Sequence, residues 1–311
     1  MGSKTGLKAT QPREAEPLLA ASADHGTIAT AIMDPNLRCR DFIVGLGANL
    51  GSLQATLQAA TQLLAAQPRC HLVATSNLFD SAAVGPPQPR YCNAALRLRS
   101  ELSAPELLDT MLAIEAQLGR VRGERWGSRV IDLDLLWGPE PCDTPQLRLP
   151  HPHLHERAFA LAPLLQVAPE LAGAYAGTLE RLGGPPARAA APPSIKTRAG
   201  GSRLEVAGGD RPEQLAALGM ALARRLEPRE ETCSPLQVLP IEVATGDAAA
   251  WLRALLAALG AGFCCVALSV IELAPDRIRG RLVATTTAPP NALPRLEMDW
   301  PMAAPAVLRL L

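Results

Sequence analysis

Two aspartates one residue apart, Asp132 and Asp134, directly follow a stretch with four arginines in ten residues, Arg120, Arg122, Arg125 and Arg129. The run from Val130 to Leu136 is built of Val, Ile and Leu around those aspartates and reads as a strand. Strand side chains alternate faces, so both carboxylates share one face, roughly 7 Å apart, while Ile131, Leu133 and Leu135 share the other. So apolar a strand is expected to be central, and paired carboxylates on a central strand need cations. Magnesium with a polyphosphate meets that need, since carboxylate oxygens suit the ion and guanidinium forks suit the remaining phosphate charge. A solvated salt-bridge face would have the same local pattern.

Other residues offer weaker chemistry. Tyr91 and Asn93 fall on one face of a strand spanning Tyr91 to Arg99, an aromatic plane beside an amide that is both donor and acceptor. The pair suits a flat heterocycle, although an ordinary half-buried sheet pair looks alike. His151, His153 and His155 alternate within a Pro-bearing run with no thiol nearby, which argues against zinc and favours a single phosphate-facing histidine in a rigid turn. Gly45 to Gly51 joins a strand to a helix capped by Ser52. Leu50 stands where a dinucleotide fingerprint has its third glycine, and no Gly-Lys-Ser/Thr follows, so a tight turn bringing Asn49 and the backbone close to a neighbour is expected.

The whole chain sets limits on these readings. Its 311 residues, 48% apolar and 19% charged, are those of a globular protein of one large or two modest domains. Thirty basic and thirty acidic side chains cancel, so no global field draws it to nucleic acid or an anionic membrane, and any anion site is local. The seven cysteines are scattered and never spaced C-x-x-C, which reads as reduced, small apolar side chains in a cytoplasmic protein. No run of about eighteen apolar residues suggests a membrane span.

The elements that must hold these residues follow from periodicity. Residues 1–40 lack a sustained pattern and read as a disordered leader, with Met33 a candidate start. From 41 to 172 the order is strand, helix, strand, strand, helix, strand, that of a ferredoxin-like α+β sandwich with helices on one face of a mostly antiparallel sheet. Ser103 opens the second helix, whose apolar face is Leu107, Leu108, Met111, Leu112, Ile114 and Leu118, and Gly119 ends it. Residues 173–200, rich in Gly, Ala and Pro, read as a linker. Residues 201–311 read as a second, smaller α+β domain, with helices over Arg211–Leu226 and Asp247–Leu259 and an antiparallel pair over Phe263–Leu273 and Arg277–Thr285.

Five ordered motifs carry a resemblance. Gly47-Ala-Asn-Leu, the Val84-Gly-Pro to Tyr91-x-Asn93 segment, Gly119-Arg-Val-Arg, Arg125-Trp-Gly-Ser-Arg-x-Ile-Asp-Leu-Asp134 and Leu149-Pro-His to Arg157-x-Phe159 together closely resemble the 6-hydroxymethyl-7,8-dihydropterin pyrophosphokinases of folate biosynthesis, over residues 41 to 172. The resemblance implies transfer of pyrophosphate from ATP to a pterin alcohol, with small-molecule substrates only. It implies that Asp132 and Asp134 bind two magnesium ions. Arg120 and Arg129 would stabilise the transferring group. Arg122 and Trp126 would belong to a catalytic loop that closes over ATP, His151 and Arg157 would touch ATP, with Arg120 and Arg122 beside them, and Tyr91 and Phe159 would sandwich the pterin while Asn93, Ser81 and Val84 read its edge. Gly123, where a basic residue is common, and Pro152 depart from the family pattern. The C-terminal part faintly resembles archease, without that family's aspartate-bearing N-terminal motif. It is otherwise an accessory module, through which the chain could self-associate.

Overall fold

The computed structural model describes residues 39–121, 123, 126–198, 203–226, 235–261, 263–286, 296–299 and 307–310. The expected leader, apart from residues 39 and 40, and Arg122 lie outside them. The first layer is a sheet of β1 (Arg40–Ala48), β2 (Cys70–Thr75), β3 (Phe79–Ser81), β4 (Tyr91–Ser100) and β5 (Asp132–Trp137). Its order is β2-β4-β1-β5 with β3 also on β4, and every pairing is antiparallel, so β5, expected to be central, ends the sheet among the described residues, its apolar side chains being claimed by the helices on its two faces rather than by a second neighbouring strand. The segment from Cys70 to Ser81 is divided between β2 and β3 because residues between Thr75 and Phe79 leave the ladder.

Helices α1 (Leu53–Ala65) and α2 (Ala104–Gln117) cover one face, as the periodicity requires. Phe42, Val44 and Leu46 of β1, Leu96 and Leu98 of β4, and Leu133 and Leu135 of β5 pack there against Leu57, Leu64, Met111 and Ile114. Helix α2 begins with a capping box: the Glu106 amide donates to Ser103 Oγ at 3.4 Å and the Ser103 amide to Glu106 Oε2 at 2.7 Å. It ends where Gly119 takes φ +90°, which lets the Arg120 amide reach back to the Glu115 carbonyl. The opposite face is not open. After the short pair β6 (Cys142–Asp143) and β7 (Arg148–Leu149), helices α3 (Ala158–Val167) and α4 (Ala172–Arg181) cover part of it, over Ile43, Ala95 and Leu136. An apolar side chain from each of three adjacent strands on that face required a partner, which an expectation of helices on one side did not supply.

The stretch expected to be a linker holds structure at both ends, α4 and β8 (Ser194–Arg198). Between them the chain is tied to β3: the Asp80 amide donates to the Ala187 carbonyl at 2.8 Å and the Ala189 amide to the Leu78 carbonyl at 2.9 Å. An edge strand offers free backbone groups, and a Pro/Ala-rich segment can take them up as well as a regular strand.

The C-terminal part comprises β9 (Arg203–Ala207), α5 (Arg211–Leu226), β10 (Gln237–Val243), α6 (Ala248–Gly260), β11 (Phe263–Ala274), β12 (Arg277–Thr286), β13 (Leu296–Asp299) and β14 (Val307–Leu310). It forms two antiparallel sheets, β10-β12-β11 and β13-β14-β9-β8. Its core centres on the fully buried Trp251, whose Nε1 donates to the Ile241 carbonyl at 3.0 Å. Ala267 of β11 and Val283 of β12 belong instead to the α1/α2 core, so this sheet rests on the helices of the first layer.

Candidate active site

The site lies on the sheet face opposite α1 and α2, where β1 contributes glycines. Gly45 pairs with Asp134 and Gly47 with Asp132 across β5, while Gly47 also pairs with Asn93 across β4. A Cβ on Gly47 would stand 3.4 Å from Asn93 Oδ1 and 3.6 Å from Tyr91 Cδ1. Bare backbone between two functional strands leaves room for a ligand. The expected glycine turn is therefore shorter than Gly45–Gly51, since β1 runs on to Ala48 and both functional glycines are in the strand.

A cavity of about 410 Å³ opens here. Its lining brings together Ser81, Val84, Tyr91, Asn93, Arg120, Trp126, Arg129, Asp132, Asp134, His151, Arg157 and Phe159. These are all the site residues expected from the sequence except Arg122.

Of the two aspartates, Asp132 is the more heavily contacted. Arg120 Nη1 donates to its Oδ1 at 2.5 Å and Arg129 Nη1 to its Oδ2 at 3.0 Å. Arg120 also pairs with Glu115, which is 3% exposed and accepts from the Leu133 amide at 2.6 Å. Burial raises the Glu115 pKa against the pull of that amide and of Arg120. At Arg129 burial works against the cation and the Asp132 carboxylate more than offsets it. Asp134 Oδ2 stands 3.9 Å from Arg157 Nη1, and its side chain is 41% exposed toward the cavity. Enclosure by the cavity walls, then the charge of Asp132, raises its pKa, with Arg157 acting in the other direction.

Asn49, 2% exposed, fastens the arginine segment to β1. Its amide donates to the Arg129 carbonyl at 3.1 Å, its Oδ1 accepts from the Arg129 amide at 2.7 Å, and its Nδ2 donates to Gln88 Oε1 at 2.9 Å. Gln88 Nε2 in turn donates to the carbonyl of Trp126, which takes φ +66°. The Arg157 guanidinium sits 5.9 Å from the centres of both the Trp126 and Phe159 rings. Asn93 Nδ2 donates to Ser81 Oγ at 2.9 Å, which fixes the amide plane.

The three histidines separate. His151 Nδ1 accepts from the His153 amide at 3.2 Å, His153 Nδ1 lies 3.2 Å from Glu156 Oε2, and the His155 ring stacks on Tyr175 at 5.6 Å. Burial, followed by the Arg157 and His153 charges, pushes the His151 imidazole down to about 4. It is neutral near pH 7 and offers Nε2–H as a donor, so it meets a phosphate by hydrogen bonding rather than by charge. Among the described residues there is no group of three or more His, Cys, Asp or Glu placed to hold a metal.

Sequence reasoning singled out Asn49 without its partner and missed Glu115 and Gln88. Glu115 did carry a signal, since a charge one residue from Ile114 and three before Leu118 interrupts the apolar face of α2.

Known proteins bear on this geometry. Residues 43–169 match the family model described as 7,8-dihydro-6-hydroxymethylpterin-pyrophosphokinase. The chain is 43% identical over 134 residues to 2-amino-4-hydroxy-6-hydroxymethyldihydropteridine pyrophosphokinase of Synechocystis sp., an alignment covering 43% of this chain and 69% of that protein. The proteins of the same name from Pseudomonas aeruginosa and Haemophilus influenzae are 45% and 41% identical over 130 residues each, covering 41% of this chain and 80% and 81% of theirs. With the glycine-lined cavity, the aspartate pair and the arginines in the matched span, the chain belongs to the 7,8-dihydro-6-hydroxymethylpterin-pyrophosphokinase family.

Proposed function

We propose that the chain transfers pyrophosphate from ATP to 6-hydroxymethyl-7,8-dihydropterin in folate biosynthesis, giving AMP and the pterin diphosphate. The observation that carries this reading is the convergence, in one cavity, of an acidic and cationic end (Asp132, Asp134, Arg120, Arg129) with an aromatic and amide end (Tyr91, Asn93, Phe159). The pterin hydroxymethyl oxygen bonds to the β-phosphorus of ATP, the bond from that phosphorus to the α–β bridging oxygen breaks, AMP leaves, and the hydroxyl proton passes to water.

Phosphoryl transfer needs little covalent help from a protein; positioning and neutralisation of charge supply most of the rate. Arg120 and Arg129 do the second, and their hold on Asp132 keeps them pre-oriented at the cavity wall. Asn93, with its Nδ2 committed to Ser81, presents Oδ1 toward the space at Gly47, where an N–H on the pterin edge can donate to it. Tyr91 and Phe159 enclose the ring, and His151 and Arg157 meet ATP phosphate or ribose oxygens. Trp126, held in a left-handed conformation costing about 1–3 kcal/mol, is read as part of a loop that closes over ATP and excludes water.

Asp132 and Asp134 would hold two magnesium ions. The donor set fits: each carboxylate oxygen has a second lone pair beyond those used by the arginines, and magnesium is commonly bound by one or two carboxylates plus substrate phosphates and water. When bound, the ions neutralise phosphate charge and orient the transferring group. Measuring magnesium-dependent AMP release with the pterin alcohol tests the reading, and a folded chain that releases no AMP would sink it.

A further inference from the structure

The matched span stops at residue 169, yet the part beyond it touches the supports of the arginines. Ser52 occupies the N-cap position of α1 but makes no side-chain cap to its own helix. Its Oγ accepts from the Val270 amide at 2.8 Å and donates to the Val270 carbonyl at 3.2 Å, and its amide donates to that same carbonyl at 2.7 Å. β11 is an edge strand of its sheet, so the outward amide and carbonyl of Val270 are available to a partner, and Ser52 takes both. Next to it, the register with β12 shifts between Val270 and Glu272, leaving Ile271 as a bulge.

The bulge directs Ile271 at the end of α2. A Cβ on Gly119 would lie 2.8 Å from Ile271 Cδ1, and Arg281 of β12 donates from Nε to the Gln117 carbonyl at 3.2 Å. The C-terminal sheet thus holds two points of the first layer. One is the turn three residues after Asn49, which is bonded to Arg129; the other is the helix end from which Arg120 emerges.

We propose that the sheet β10-β12-β11 is a positioning part of the transfer site, acting through Ser52 and Arg281 on the segments that hold Arg129 and Arg120. Ser52 and Arg281 are positioning residues, remote from substrate. The inference rests on the pyrophosphokinase reading for its kinetic consequence alone, because the bracing itself is a property of the fold.

The test uses the full chain with Ser52→Ala, Arg281→Gln and Arg281→Lys. Amide hydrogen exchange is followed at Asn49 and Arg129, and kcat and KM are measured for ATP and the pterin. Loss of one such hydrogen bond is expected to speed exchange at Arg129 and lower kcat by ~10-fold in the Ser52→Ala and Arg281→Gln variants. KM for the pterin should hold within about twofold, because Tyr91 and Asn93 stand on β4, and Arg281→Lys should recover part of kcat. Wild-type exchange and kcat in both folded variants would overturn the proposal, as would faster exchange with unchanged kcat. Should Ser52→Ala fail to fold, the two Arg281 variants decide. Should wild type itself show no turnover, the functional reading fails, and exchange at Arg129 alone decides the bracing.

Discussion

Glu213 gives the sharpest test of how the two parts of the chain are joined. It lies in the first turn of α5, is 7% exposed, and its Oε1 accepts from the Gln54 amide at 2.6 Å. It therefore supplies from a distant helix the cap that Ser52 does not give to α1. Burial pushes its carboxyl from an ordinary 4.5 up to about 7; the Asp210 charge adds to the rise, and the Gln54 and Ala55 amides oppose it. A folded-state value above the unfolded one means that stability is fully present below the unfolded value and is lost as pH climbs through the folded one. The gap between 4.5 and about 7 corresponds to ~3 kcal/mol lost between pH 4.5 and 8. Glu213→Gln keeps an oxygen for the Gln54 amide and removes the charge. Urea unfolding of both full-length chains across that window should show wild type losing ~3 kcal/mol relative to the variant. Parallel stability curves would refute the reasoning, because they would mean that the α1 amides stabilise the carboxylate as fully as burial penalises it.

Asp134→Asn should cut AMP release by at least ~10³-fold with little change in melting temperature, and retention of activity would remove its proposed metal role. Glu115→Ala leaves the Leu133 amide and Arg120 without their buried acceptor and is expected to cost about 3 kcal/mol in urea unfolding. A loss below about 1 kcal/mol would show that water replaces the carboxylate. Gly47→Val fills the space beside Asn93 and Tyr91, so pterin binding measured by fluorescence should weaken ~10-fold or more while the protein stays folded. Burial pushes the Cys92 thiol up to about 12, so alkylation of the folded chain at pH 8 should label the exposed Cys39 and spare Cys92, as mass spectrometry would show.

The placement of the site residues was legible where residue type, spacing and strand alternation coincide. Asp132 and Asp134 share a face because Leu133 and Leu135 must turn to the α1/α2 core, and the same rule put Tyr91 with Asn93. The aspartates and arginines meet because Gly119 ends α2 four residues after Glu115, returning the chain so that Arg120 faces back to it. What spacing could not give is which partner a polar group chooses. A serine one residue before an amphipathic helix satisfies every local rule for a cap, and Ser52 does take the cap position. Its hydroxyl nonetheless goes to Val270, 218 residues away, because the edge of β11 offers a donor and an acceptor together while Glu213 is already placed to serve the helix amide. The Gly/Ala/Pro composition of 173–200 likewise reports low intrinsic order and nothing about the free edge of β3 that fixes Ala187 and Ala189. Both cases have one physical origin. Backbone groups left over at a sheet edge are satisfied by whatever the fold brings near, so a sequence that reads as two parts on a tether can bind them through hydrogen bonds that neither part's own pattern records.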